Sequence, residues 1–181
     1  MRIILITALL LFCSVISIAQ KYLPVDVGSK VHFVINNFGI GTGGDLSGLK
    51  GTIQFDPQQH NRSMFNVSVD VKSIDTDSET RNKHLQSADY FDAEQYPLIC
   101  LVSTEIKKNN SINNGYIFTG TLSMHGVNKN ISFPFTVSIT GNDLLFSGDF
   151  EINRLDYGVG SSSAVLSKTV KISLSVMAKK I

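Results

Sequence analysis

The sequence predicts an all-β fold of about eight mostly antiparallel strands, closed into a barrel or packed as a two-sheet sandwich around one apolar face. Three observations point there. Apolar and polar residues alternate with period two through most of the chain after residue 30, the pattern of strands buried on one side. Turn-forming clusters separate the runs: FDPQQHN at 55–61, KKNNSINNG at 107–115, HGVNKN at 125–130 and TGND at 140–143. One segment, 77–89, breaks the alternation and reads as a short helix.

Residues 1–19, MRIILITALLLFCSVISIA, carry Arg2, a long apolar run and the small residues Ser17 and Ala19. This is the pattern of a secretory signal peptide cleaved near Ala19, so the protein is expected to be periplasmic or secreted. A lipid anchor on Cys13 is the rival reading, disfavoured by bulky Phe12 immediately before it. Residues 20–181 hold no second apolar run of the ~18 residues a spanning helix needs, so no stable membrane span is expected. Nothing in them suggests a repeat or linker, and they are expected to form one domain.

The strands follow in order. KVHFVIN (30–36) points Val31, Phe33 and Ile35 one way. The glycine-rich GIGTGGDLSG (39–48) reads as a loop at one end of the sheet, and GTIQFD (51–56) as the second strand, with Ile53 and Phe55 inward. MFNVSVDVK (64–72) sets Phe65, Val67, Val69 and Val71 against Asn66, Ser68, Asp70 and Lys72. LICLVSTEI (98–106) is apolar on both faces at its start, which leaves its orientation open. Tyr116, Phe118, Leu122 and Met124 share a face in the fifth strand, and Ile131, Phe133, Phe135, Val137 and Ile139 in the sixth. Phe150 with Ile152, then Val170, Ile172, Leu174 and Val176, complete the set.

The helix begins at a capping box in TDSE (76–79), with Thr76 as N-cap and Glu79 reaching back. Spacing by threes and fours puts Arg81, His84, Leu85 and Ala88 on one side and Asn82, Lys83 and Gln86 on the solvent side. Tyr90 and Phe91 plug the segment, and Pro97 prevents the helix from running into the next strand.

The outward faces are Ser, Thr, Asn, Asp and Lys, so the apolar face must lie inside; a membrane barrel reverses this pattern and is excluded. With Arg2 set aside, 15 basic residues balance 15 acidic ones, which argues against nucleic-acid binding driven by counterion release. Cys100 is the only thiol beyond the leader, so no intramolecular disulfide is expected. His32, His60, His84 and His125 are far apart in sequence, and no metal site or cofactor is expected. The inward series is heavy with Phe33, Phe55, Phe65, Phe118, Phe133, Phe135 and Phe150. Such an interior is either a filled core or a tunnel for one long apolar ligand.

Five blocks in order, LSGLKGTIQFDP (46–57), SIDTD (73–77), RNKHLQSADYFDAEQYP (81–97), GTLSMHGVNK (120–129) and FEINRLDYGVG (150–160), resemble the signatures of the YceI-like family. Together they span essentially the whole chain after the leader. True lipocalins are a poorer match, because the chain has no Trp. The resemblance implies an eight-stranded antiparallel lipocalin-like barrel over residues 20–181, with a helix near one end. It also implies export in bacteria and binding of a polyisoprenoid or other long-chain lipid-like molecule inside. Gly28, Asn82, Cys100 and Leu101 depart from residues common in that family.

On this reading the apolar lining is Phe33, Ile35 and Phe38; Leu49, Phe55 and Val69; Phe91, Leu101, Phe118 and Leu122; and Phe133, Phe150 and Ile152. Arg81, His84, Arg154 and Tyr157 form a polar rim. Arg81 either meets a phosphate or carboxylate head group or pairs with Asp75 or Asp89 to hold the lid. Arg154 and Tyr157 either bind a head group or tie down the following loop. His125 is a turn residue at a hairpin tip. The expected function is binding without catalysis. A barrel enzyme using Arg81, His84 or Arg154, and an interaction module with a filled core, are the alternatives, and a homodimer is left open.

Overall fold

The structure, a computed structural model, describes residues 20–181; the expected leader and Cys13 lie outside the described residues. Eight strands, β1 (Gln20–Asn37), β2 (Ile40–Phe55), β3 (Met64–Asp75), β4 (Leu98–Asn109), β5 (Gly115–Met124), β6 (Val127–Thr140), β7 (Asp143–Asn153) and β8 (Leu166–Lys180), form a closed barrel. Each pairs antiparallel with its sequence neighbour, and β8 pairs with β1. Closure leaves no free sheet edge, which is how an antiparallel sheet with one apolar face buries it. The sandwich alternative is therefore set aside.

Two expectations about the first hairpin are corrected. β1 starts at Gln20, ten residues before its alternation becomes clear, and the glycine-rich stretch is strand, not loop. Phe33 pairs with Gly44 and Val34 with Gly43 across the hairpin. A Cβ on Gly44 would lie 2.6 Å from Phe33 Cζ and 2.7 Å from Thr76 Cγ2. Glycine there makes room for a ring from the neighbouring strand, so the stretch is glycine-rich because it is packed, not because it is a loop.

β1 is interrupted near its middle. The pairing with β8 jumps from Val25↔Met177 to Lys30↔Ser175, so residues 26–29 bulge outward. Side chains close the break: Ser29 Oγ accepts from Met177 N at 2.7 Å, and the Asp26 carboxylate accepts from Gly48 N and Leu49 N at 3.2 and 2.9 Å. Backbone groups that lost ladder partners are thereby satisfied.

The helix α1 (Glu79–Gln86) starts two residues later than the capping box implied. Ser78 is the N-cap, its hydroxyl accepting from Arg81 N at 3.4 Å. Thr76 is buried instead, and Asp77 takes a left-handed φ of 58° to turn the chain into the helix. Asn82, expected to face solvent, faces Thr76: its Oδ1 accepts from Thr76 N at 2.9 Å and from Thr76 Oγ1 at 2.6 Å.

One end of the barrel, where β1 begins and β2 ends, is solid. Tyr22, Ile53, Phe55, Phe65, Tyr116, Phe118, Phe133, Phe135 and Phe146 are buried there with Ile106, Val137, Leu144 and Ala178. Phe55 meets Phe65, Tyr116 and Phe146 edge-on, with centroids 5.1–6.2 Å apart, the arrangement the ring quadrupole favours. Ile139, last of the inward series on β6, lies beyond this plug and is exposed. At the opposite end α1 packs beside β3.

Candidate ligand cavity

Above the aromatic plug the barrel is open. A cavity of about 370 Å³ occupies the half of the interior nearest α1, within the range of small-molecule sites. Its walls are aliphatic and aromatic: Val31, Phe33 and Ile35 from β1, Leu46 and Leu49 from β2, Val67 and Val69 from β3. Ile99 and Leu101 from β4, Leu122 and Met124 from β5, and Phe150 and Ile152 from β7 continue them. β8 contributes Val170, Ile172, Leu174 and Val176. The period-two pattern positions these side chains, since alternate residues of each strand point to one face.

The floor belongs to both regions. Val67, Leu101, Phe150 and Leu174 line the cavity from above and pack onto the buried cluster below. Phe118, Phe133 and Phe150 stack in a near-parallel column, with centroids 4.9 and 4.4 Å apart and interplanar angles of 22° and 19°. Phe150 is its top face. Gly148 and Gly120 leave space beside the column: a Cβ on Gly120 would lie 2.7 Å from the Phe118 ring, and one on Gly148 3.3 Å from Phe133.

Of the expected lining, Phe33, Ile35, Leu49, Val69, Phe91, Leu101, Leu122, Phe150 and Ile152 surround the cavity. Four residues do not. Phe55, Phe118 and Phe133 belong to the solid end and touch other rings instead. Phe38 occupies the tip of the β1–β2 hairpin, 75 % exposed, with φ 51°. It falls off the inward series because the chain reverses there. The β8 residues are a gain the sequence did not assign to the site: their inward phase was plain, but their height in the barrel follows from strand register and tilt.

The polar rim divides. Arg81 and His84 stand at the mouth beside Asn37, Thr42, Leu85 and Tyr90. Arg81 pairs with neither Asp75 nor Asp89: its Nε donates to Thr76 Oγ1 at 2.8 Å, and an Nη to the Thr76 carbonyl. Asp75 instead accepts from Asn82 Nδ2 at 3.3 Å. His84 lies against Tyr90, ring centroids 4.7 Å apart.

Arg154 borders the cavity but is 3 % exposed, and its guanidinium donates to the carbonyls of Ser167, Val159 and Ser161 at 2.8–2.9 Å. Between tying down the loop and binding a head group, the geometry shows the first. Tyr157 is off the rim: it is buried with Leu122, Met124 and Val159, and burial, then the nearby Asp156 carboxylate, pushes its phenol pKa up. His125 sits at the β5–β6 turn, Nδ1 3.1 Å from the Tyr157 carbonyl and its ring edge-on to Tyr96. Cys100 alternates with Ile99 and Leu101 and so points away from the cavity; burial raises its thiol pKa.

The family model for the YceI-like domain matches residues 24–178. A UPF0312 protein of Photorhabdus laumondii is 38 % identical over 100 residues, covering 55 % of this chain and 50 % of its own, so the match spans half of that relative's length. A UPF0312 protein of Serratia proteamaculans is 29 % identical over 139 residues, covering 74 % of this chain and 71 % of its own. Among solved structures, BcnA of Burkholderia cenocepacia superposes with a TM-score of 0.80 at 28 % identity, over 86 % of this chain and 99 % of that one. A polyisoprenoid binding domain from Saccharophagus degradans superposes with a TM-score of 0.70 at 17 % identity, over 91 % and 100 %, a likeness of fold.

Proposed function

We propose that this chain, which belongs to the YceI-like family, binds a long apolar, lipid-like molecule in the open half of its barrel and carries or sequesters it outside the cytoplasm. The observation that carries this reading is the cavity of about 370 Å³, walled almost wholly by aliphatic and aromatic side chains. Each methylene moved from water into such a site contributes about 0.8 kcal/mol. A chain of several methylenes thus offsets the entropy lost on association. An isoprenoid suits the walls equally well, and one protein of the same fold is a polyisoprenoid binding domain.

A polar head group would remain at the mouth, beside Arg81 and His84. Thr76 orients the Arg81 guanidinium through two hydrogen bonds, and a planar fork held in place favours phosphate or carboxylate oxygens. Export rests on the leader-like residues 1–19.

Native mass spectrometry and solvent extraction of freshly purified protein test the reading. Co-purification of an unmodified long-chain lipid is expected. Failure to retain any lipid, together with failure to take up a fluorescent fatty acid, would remove it.

A further inference from the structure

We infer that Phe150, backed by the stacked rings of Phe133 and Phe118 on the neighbouring strands, sets the maximum length of apolar chain the barrel accepts. The inference rests on the proposed binding of an apolar ligand and adds a specificity determinant to it. In a barrel open from end to end, a longer chain would keep gaining contact. Here the tunnel is stopped halfway. The stop is rigid, because the column of three stacked rings at 4.4–4.9 Å stands on the buried aromatic cluster of the closed end. Val67, Leu101 and Leu174 complete the floor around Phe150 and rest on the same cluster.

The depth follows from strand geometry. On β1 the lining runs from Asn37 at the mouth to Val31. Six residue steps of about 3.4 Å, on a strand tilted by about 40°, give a depth of roughly 15 Å at Val31, and on β8 the lining continues to Val176, two residues past Leu174, where the depth is roughly 20 Å. An extended alkyl chain advances about 1.25 Å per carbon, so about 12–16 carbons reach the floor. Any further methylene must fold back into a filled cavity or stay in water at the mouth.

Displacement of a fluorescent fatty acid by a homologous series of linear fatty alcohols, on the purified protein, reads this out. Affinity is expected to rise about fourfold per added methylene until the chain reaches the floor, at about 12–16 carbons, and then to level off. Phe150→Ala lowers the floor and should shift the break to longer chains, with the first alcohols beyond the wild-type break bound about tenfold tighter. Leu101→Phe raises the floor and should shift the break to shorter ones. It serves as the second arm if Phe150→Ala does not fold, with circular dichroism as the check on both.

A steady gain with no break, or a break left in place by a folded variant of either kind, overturns the inference and leaves apolar-ligand binding standing. Displacement by no alcohol of any length would overturn it too, whereas failure of the fluorescent fatty acid itself to bind would instead remove the binding reading, and the length limit with it.

Discussion

At the scale of single residues, two positions show how backbone and burial override residue type. Phe38 and Gly39, the central residues of the β1–β2 turn, have φ of 51° and 77°, the double positive φ of a hairpin turn whose twist matches its strands. A Cβ in that region costs about 1–2 kcal/mol, and Phe38 recovers little by packing, being 75 % exposed. Phe38→Asn is therefore expected to raise stability by about 0.5–1 kcal/mol, read as a higher melting temperature. A lower one would mean that the ring is packed after all. Arg154 is the reverse case: a charge buried with three backbone carbonyls as its partners. It joins the start of β8 to the loop after β7, and so fixes one wall of the mouth.

At the scale of elements, α1 is the least self-sufficient piece. It has eight residues, none buried, and isolated helices of that length are marginal in water. Side-chain ties to β3 and its exit hold it: Asn82 and Arg81 to Thr76, and Gln86 Nε2 to the Lys72 carbonyl at 3.0 Å. Asn82→Ala leaves Thr76 N and Oγ1 without their acceptor, at a cost of about 1–2 kcal/mol. Amide exchange across residues 79–86 should accelerate by roughly tenfold, while Asn82→Asp, which keeps the acceptor for Thr76 but sets a carboxylate against Asp75, should accelerate it less. Unchanged exchange in Asn82→Ala would show that the helix is held by other contacts. The helix itself was legible from Pro97 and the broken alternation. Its anchoring was not, because which of Arg81, Asn82 and Lys83 turns inward depends on Thr76 occupying a buried corner, and TDSE fits a capping box equally well with Thr76 outside.

At the scale of the molecule, both ends of the barrel hold a tyrosine that titrates late. Burial, then the Asp56 and Asp143 carboxylates, raises the Tyr22 pKa above its ordinary value of 10.0; burial and Asp156 do the same for Tyr157. The folded state then holds these protons more tightly than the unfolded chain. Their contribution to stability is intact below pH 10.0 and declines as pH rises from there through the folded-state values. Urea titrations at increasing alkaline pH should show that decline, and Tyr22→Phe with Tyr157→Phe should flatten it. An equally steep decline in the double variant would place its cause elsewhere.

Period two gave the inward face of nearly every strand, and with it the all-β class and most of the apolar lining. It carries no information about height along the barrel axis. Phe55, Phe118 and Phe133 therefore read the same as Phe33 and Phe150, although three of these rings are plug and two face the cavity. That distinction has an energetic consequence. Phe55 is fully buried against Phe65, Tyr116 and Phe146, and truncation to Ala is expected to cost about 3–5 kcal/mol, since rings on every side cannot collapse into the space. Ile172 pairs with Phe33 and Phe150 on neighbouring strands but faces a space that is already open. Few atoms oppose its outer methyls, and Ile172→Ala should cost about 1–2 kcal/mol. Urea denaturation of the ligand-free protein measures both. A gap of about 2 kcal/mol or more in that direction fits one barrel divided into a stabilising half and a binding half, whereas equal losses would mean that the open half is packed as tightly as the plug.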